Sequence, residues 1–284
     1  MHLITMTSFI SITAIIILIN FLVSYKGFKD QLFYNKYSFI IDAIKLQKDY
    51  KRLITSGFLH VNWSHLIFNM IALYFFSSSL EAYIGIGNFL IIYLSGLIGG
   101  NLLSLFIHRF DSGYSSVGAS GGVLAVMFSS IALLPGMRIG LFLLPVSLPG
   151  WVFGLAYVLF SIYGIRSRSN NIGHDAHLGG GLAGMLAAVL LYPSILLVNY
   201  FAILIIAVPA IAFILFIVYK PEALLIDNLF YKKSHYLTQE DKYNLSKRSK
   251  QKQLDDLLEK IHKKGMNSLS KSEKEFLEKY SKQR

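Results

Sequence analysis

The chain has 284 residues, of which 54% are hydrophobic and only 15% are charged. One soluble core does not need so much apolar surface, so the composition predicts a polytopic membrane protein and excludes an ordinary soluble enzyme. Cysteine is absent, which excludes disulfides, thiol catalysis and cysteine-based metal sites. The net charge is +11, and 16 of the 27 Lys and Arg residues lie within 220–284. A basic segment beside a bilayer predicts contact with phospholipid headgroups and not with nucleic acid.

Seven apolar segments follow one another along the chain, each close to the 20 residues that a helix needs to cross a bilayer. They are residues 4–24, 63–83, 89–107, 118–134, 150–165, 175–191 and 195–219. The first has no Lys or Arg before it and no cleavage site after it, so it is interpreted as a retained span and not as a signal peptide. The segments predict an all-α polytopic membrane domain over residues 1–219, with a six-helix core and a seventh transmembrane helix that Pro209 is expected to kink.

Two regions outside these spans are also predicted to fold. Residues 25–62 carry seven Lys and Arg but also several Ile and Leu, which predicts a folded, partly interfacial loop. Residues 220–284 are predicted to be a basic, soluble helical tail. In this tail Leu254, Leu257, Leu258 and Ile261 have helical spacing, and Ser270 to Glu273 fits a capping box that opens a last helix.

Polar side chains inside spans are costly, so each one needs a reason. His65 and Asn69 are four residues apart and therefore lie on one face of the second helix. Ser120 begins the fourth span and His177 begins the sixth. Since the second, fourth and sixth spans run in the same direction, all of these side chains are expected near one membrane surface, where they can converge.

Ser120 has two interpretations, a helix-packing residue or a nucleophile. A serine nucleophile needs a base, and a neutral imidazole such as His177 is the form that costs least to bury. Gly180 and Gly184 form a small-xxx-small seam that lets another helix approach closely, and Gly121 offers a matching thin face. The residues predict a Ser-His dyad, with Asp175 as a loop or capping residue and not a third catalytic member.

Acyl transfer also needs hydrogen-bond donors for the oxyanion. The imidazole of His65, the amide of Asn69 and the backbone N–H of Ser120, which opens a helix, are the predicted donors. Gly118 is expected to keep the approach to Ser120 open.

These patterns resemble the rhomboid family of intramembrane serine proteases over residues 52–184. The family's motifs are matched in order by His60-x4-His65-x3-Asn69, then Gly118-Ala119-Ser120-Gly121, then Ala176-His177-x2-Gly180-x3-Gly184. The resemblance implies hydrolysis of peptide bonds in or near transmembrane segments of single-span proteins within the lipid bilayer, without metal or other cofactor. It also implies a multi-pass protein of a bacterial inner membrane, and supporting roles for His60, Gly118, Gly121, Gly180, Gly184 and Arg52.

The chain departs from the family pattern at two positions. Lys51 stands where members often carry Trp before the arginine, and Leu124 stands where an aromatic side chain often stacks on the base. Glu81 matches a structural glutamate of the family, so it is not assigned to catalysis. The Lys and Arg residues of 25–62 lie on the same face as the predicted site, against the positive-inside tendency.

Two other functions are compatible with parts of the sequence. A catalytically silent rhomboid-like protein that binds transmembrane helices would lack a motif residue, and none is missing. A transporter or metal site built from histidines would use His60, His65, His174 and His177, but these have no carboxylate partner at ligand spacing and the chain has no inverted repeat.

Overall fold

The structure is a computed structural model that describes residues 11–140, 147–167 and 172–220, together with seven single positions of the tail: 257, 260, 261, 269, 270, 273 and 277. The predictions for residues 4–10, for Leu254 and Leu258 and for most of the tail helices lie outside these residues. The chain divides into two compact units, residues 1–229 and 230–284. The domain boundary predicted at residue 219 stays a prediction.

Ten α-helices, one short 3-10 helix (Ser56–Phe58) and four short strands occur in residues 11–140, 147–167 and 172–220. The helices are α1 (Ile12–Lys29), α2 (Gln31–Tyr37), α3 (Ile41–Lys45), α4 (Arg52–Thr55), α5 (Trp63–Ile107), α6 (Ser120–Leu133), α7 (Gly150–Ser167), α8 (His174–Leu191), α9 (Ile195–Val198) and α10 (Tyr200–Tyr219). Strand β1 (Phe39–Ile40) pairs antiparallel with β2 (Ser115–Ser116), and β3 (Arg138–Gly140) pairs antiparallel with β4 (Ser147–Pro149). The strands therefore only join loops, and the fold is helical.

Four of the described helices, α1, α5, α7 and α10, are long and apolar enough to cross a membrane. Helix α5 has 45 residues and contains the predicted break, because Gly85 adopts φ 76° and ψ 167° and divides it into two consecutive spans. Helix α6 is shorter, with 14 residues, and α8 has 18. The two halves of α5, together with α1, α6, α7, α8 and α10, correspond to the seven predicted spans.

Two predicted span boundaries were wrong. Helix α1 begins at Ile12, after an extended Ser11, and continues to Lys29 where residue 24 was expected to end it. No proline follows Ser24 before the end of α1, and two lysines in the last turn interact favourably with the helix C-terminus. The last span is interrupted at Asn199, whose amide donates hydrogen bonds to two carbonyls at the end of α6. Helix α10 is continuous through Pro209.

The distribution of apolar side chains is that of a multi-pass membrane protein. Every residue of α6 from Gly121 to Leu133 is buried, so this helix forms the centre of the bundle. Large apolar side chains on the surrounding helices are exposed, for example Phe68 at 72% on α5 and Leu186 at 59% on α8. Exposed apolar area on this scale marks a lipid-facing surface.

The loop between α1 and α5 is folded, as predicted, and Arg52 holds it together. This arginine is 8% exposed. Its Nη1 donates to the carbonyls of Asn35 and Ser38 at 2.8 and 2.6 Å, and its Nε donates to Asp49 at 2.9 Å. One planar guanidinium therefore ties three points of the loop, which a lysine or glutamine cannot reproduce.

Replacing Arg52 with Gln is expected to lower the free energy of unfolding by about 2 kcal/mol, because buried carbonyls lose a charged donor. The midpoint of thermal unfolding in detergent would measure the change. Lys51→Gln is the matched control. Lys51 is exposed, and its ion pair with Asp49, at 3.4 Å, lies at the surface, where such pairs contribute little to stability. Equal shifts for the two variants would contradict the role given to Arg52.

Glu81 has the structural role predicted for it. Its carboxylate accepts hydrogen bonds from the backbone N–H groups of Ile12 and Thr13 and from the hydroxyls of Ser11 and Thr13. It thus satisfies the first N–H groups of α1 from another helix. In the tail the capping box is confirmed, since the N–H of Ser270 donates to Glu273 and the N–H of Glu273 donates to the hydroxyl of Ser270.

Candidate active site

Ser120 is the first residue of α6, and a tight turn leads the chain to it. Gly118 has φ 139°, a conformation that side chains disfavour, and its N–H donates to the carbonyl of Ser56 at 3.0 Å. The N–H of Ala119 donates to Nε2 of His60 at 3.4 Å. The loop held by Arg52 therefore fixes the turn before Ser120 by two backbone contacts.

His60 is a positioning residue in this arrangement. Its ring is fully buried, and Nδ1 lies 2.9 Å from the hydroxyl of Ser24, which donates to the carbonyl of Phe58. Burial lowers the pKa of His60 to about 3, so the ring is neutral at physiological pH. With Nε2 accepting from Ala119, the single ring proton lies on Nδ1 and is donated to Ser24. The chain of hydrogen bonds links α1 to the residue before Ser120.

Helices α6 and α8 meet backbone to backbone beside Ser120. A Cβ on Gly180 would lie 2.6 Å from the Cα of Gly121, and one on Gly121 would lie 3.5 Å from the carbonyl oxygen of Ala176. Gly184 packs against Ala125 in the same way. The small-residue seam predicted from Gly121, Gly180 and Gly184 is therefore the contact between these helices, and it places Ser120 next to the helical turn that carries His177.

His177 is 9% exposed and is held by a residue that the sequence did not reveal. The hydroxyl of Tyr157 on α7 lies 2.8 Å from Nδ1 of His177. If Nδ1 donates its proton to this oxygen, Nε2 is left as the acceptor. Leu124, which stands where members of the family often carry an aromatic side chain, is buried in α6. Nothing in the sequence distinguishes Tyr157 from the other aromatic residues of its span.

Two of the residues predicted to bind the oxyanion, His65 and Ser120, lie on either side of the space beside Gly118. A Cβ on this glycine would lie 3.1 Å from Nε2 of His65 and 3.7 Å from Oγ of Ser120, so the missing side chain leaves open the space between them. Asn69, one helical turn after His65, is 8% exposed and donates an amide N–H to the carbonyl of His65 at 2.9 Å. The N–H of Ser120, at a helix start, has no acceptor within the helix.

Asp175 differs from its prediction. It does not cap α8, whose N-cap is Gly173. It is buried in the first turn, where its carboxylate lies 3.2 Å from Nε2 of His108 and 3.5 Å from the hydroxyl of Tyr114. The His108 and Tyr114 rings are stacked, with centroids 3.5 Å apart. Asp175 therefore connects α8 to the loop that leads into Ser120.

Two pairs of neighbouring histidines lie in the site. The rings of His60 and His65 are 5.0 Å apart, and those of His174 and His177 are 6.0 Å apart. Within residues 11–140, 147–167 and 172–220, no three His, Asp or Glu side chains are grouped so that they could hold a metal ion. This arrangement does not favour a histidine metal site.

Comparison with protein families gives two matches. The family model described as the rhomboid domain matches residues 47–194, which contain every predicted site residue. A second model, a family of unknown function (DUF6576), matches residues 237–283 of the tail.

Curated proteins similar to the chain come from several organisms. The chain is 36% identical to mitochondrial rhomboid protein 1 of Saccharomyces cerevisiae over 52% of its own length and 45% of that protein. It is 32% identical to mitochondrial RHOMBOID-like protein 12 of Arabidopsis thaliana, over 58% of the chain and 53% of that protein. It is 29% identical to the rhomboid protease GluP of Bacillus subtilis, over 53% of the chain and 28% of that protein. The chain thus spans about half the length of the first two relatives and 28% of the third. The first two are mitochondrial proteins, so they do not support the predicted bacterial membrane.

Proposed function

The chain belongs to the rhomboid family, and from this premise we propose that it is an intramembrane serine protease acting through a Ser120–His177 dyad. Its substrates would be single-span membrane proteins, cut in or near their transmembrane segments. The observation that carries the proposal is the backbone contact between Gly121 and Gly180, because it brings the start of α6 beside the turn of α8 that carries His177.

In the proposed reaction, Nε2 of His177 takes the proton of Ser120 while Oγ attacks the scissile carbonyl carbon. The oxyanion is bound by His65, Asn69 and the N–H of Ser120. Collapse of the intermediate expels the amine, which receives the proton from His177. Water, deprotonated by the same imidazole, then hydrolyses the acyl-enzyme and releases Ser120.

The test is cleavage of a reporter protein with one transmembrane helix, reconstituted with the full chain in vesicles. A helix-breaking residue near the end of the reporter's helix lets the segment unwind to expose its peptide bonds. We expect cleavage at one bond, identified by mass spectrometry, with the same rate when a chelator is present. Retention of the intact reporter on the protein, without any cleavage, would indicate the silent helix-binding alternative.

Tyr157 is proposed to position His177 for this reaction. Replacing it with Phe keeps the ring but removes the hydroxyl, so kcat is expected to fall about tenfold with KM unchanged. The control is Tyr163→Phe, since Tyr163 lies on the same helix and is 66% exposed. Steady-state cleavage kinetics measure both variants, and an unchanged kcat in Tyr157→Phe would contradict the positioning role.

A further inference from the structure

The surface around the loop between α1 and α5 carries cations without carboxylate partners. Six lysines lie between residues 26 and 51. Among the residues that the structure describes, only Lys51 of these six is within ion-pair distance of a carboxylate, that of Asp49. The other five, with Arg109 from the neighbouring loop, form what we call the basic surface: Lys26, Lys29, Lys36, Lys45, Lys48 and Arg109. Exposed or partly exposed cations without carboxylate partners around one loop and its neighbour attract anions.

Nearly fully exposed apolar side chains alternate with these cations. Leu32 is 83% exposed and lies between Lys29 and Lys36 in the chain. Leu46 is 74% exposed and follows Lys45. Phe110 is 87% exposed and follows Arg109. Exposing such side chains to water is unfavourable. At the level of the lipid headgroups, however, they can insert among the acyl chains while the cations stay in the headgroup region.

Lys45, Arg109 and Phe110 form the most compact part of this surface. The ammonium of Lys45 donates to the backbone carbonyl of Arg109 at 2.6 Å and lies 5.8 Å from the centroid of the Phe110 ring. The guanidinium of Arg109 lies 4.8 Å from the same centroid. Two cations are thus held beside one exposed ring, and an anion between them would relieve their repulsion.

An aromatic cluster marks the membrane level of the basic surface. Trp63, the first residue of α5, lies 6.3 Å from Tyr25 and 5.0 Å from Phe28 at the end of α1, measured between ring centroids. The ammonium of Lys29 lies 4.3 Å from the centroid of the Tyr25 ring. Because Trp and Tyr concentrate at the boundary between acyl chains and headgroups, the lysines at the end of α1 lie where lipid phosphates are found.

We propose that the basic surface binds the headgroups of anionic phospholipids in the bilayer leaflet on the side of Ser120, with Leu32, Leu46 and Phe110 inserted among the acyl chains. Charge complementarity selects the occupant, since the cations lack carboxylate partners in the described residues and the apolar side chains between them favour a lipid over a purely aqueous anion. The lipids would steady the loop that positions Gly118 and Ala119. The proposal requires no catalytic activity and therefore stands or fails independently of the protease assignment.

The two tryptophans of the chain allow a direct test. In the full-length Trp151→Phe variant, Trp63 reports lipid contacts beside Lys26 and Lys29. Brominated phosphatidylglycerol and brominated phosphatidylcholine would each be diluted to the same fraction into phosphatidylcholine vesicles. The quenching of Trp63 fluorescence is expected to show that the phosphatidylglycerol is about fivefold enriched beside Trp63 relative to the phosphatidylcholine. In Lys26→Gln/Lys29→Gln on this background, the enrichment is expected to fall to near one.

The opposite side of the protein supplies the control. In Trp63→Phe, the remaining Trp151 at the start of α7 reports on the other end of the bundle, so the lysine substitutions should not change its quenching. A far-ultraviolet circular dichroism spectrum checks that each variant is folded. Equal quenching of Trp63 by the two brominated lipids would overturn the proposal, as would an enrichment that survives in Lys26→Gln/Lys29→Gln.

Discussion

Replacing Ser120 with Ala is expected to lower the rate of reporter cleavage by at least about 10⁴-fold, because the bond-forming oxygen is removed. His177→Ala should lower the rate by a similar factor, since Oγ then has no base. The double variant should be no slower than either single variant, because the two residues act as one unit. Initial cleavage rates in vesicles measure all three.

The matched control for this result is Ser129→Ala on the same helix. Ser129 is fully buried, and among the described residues its hydroxyl has no hydrogen-bond partner. Its removal should leave both cleavage and thermal stability near those of the unchanged protein. Cleavage that persists in Ser120→Ala would contradict the dyad, and a loss in Ser129→Ala equal to that in Ser120→Ala would show a general packing effect.

Gly180→Ala is the second substitution with a large expected effect. The added methyl group would lie 2.6 Å from the Cα of Gly121, which is backbone and cannot rotate away. Helices α6 and α8 must therefore separate, which costs about 1–3 kcal/mol of stability and moves His177 away from Ser120. Because a displacement of about 1 Å can cost about 100-fold in rate, we expect cleavage to fall at least about 100-fold in protein that remains folded.

A glycine elsewhere in the bundle separates this effect from the general consequences of a glycine substitution. A Cβ on Gly87 in α5 would meet no atom within 4 Å, so Gly87→Ala should leave cleavage unchanged. Size-exclusion profiles and unfolding midpoints identify the folded fraction of each variant. If Gly180→Ala cleaves at the unchanged rate, the α6–α8 contact does not position the dyad. Gly184→Ala, which meets Ala125 further along the seam, provides a second test of the same contact.

Much of the fold could be predicted from the sequence because a bilayer demands long apolar segments. Gly85 reveals the division of α5, since the helix periodicity is interrupted by a residue that permits φ 76°. The seam between α6 and α8 was visible as Gly180 and Gly184, because small residues at a spacing of four have few other uses in a span. The end of α1 could not be predicted from the sequence, because the hydropathy falls at Tyr25 while the helix continues to Lys29.

The contacts around the site were less predictable because they depend on side chains from distant parts of the chain. The hydrogen bond between Tyr157 and His177 joins α7 to α8, and the one between Ser24 and His60 joins α1 to the loop before α5. The sequence around a hydroxyl side chain in a span does not indicate which residue is its hydrogen-bond partner. The prediction for Asp175 was wrong for the same reason, because its partner His108 lies far away in the chain, directly after α5.

Labelling with a fluorophosphonate probe asks whether Ser120 is a nucleophile that His177 activates. The full chain in detergent would be treated with the probe, digested and analysed by mass spectrometry to find the modified residue. We expect one modified serine, Ser120, with the modification lost in His177→Ala and retained in Ser129→Ala. Modification of another serine in its place, or undiminished labelling of His177→Ala, would contradict the proposed dyad.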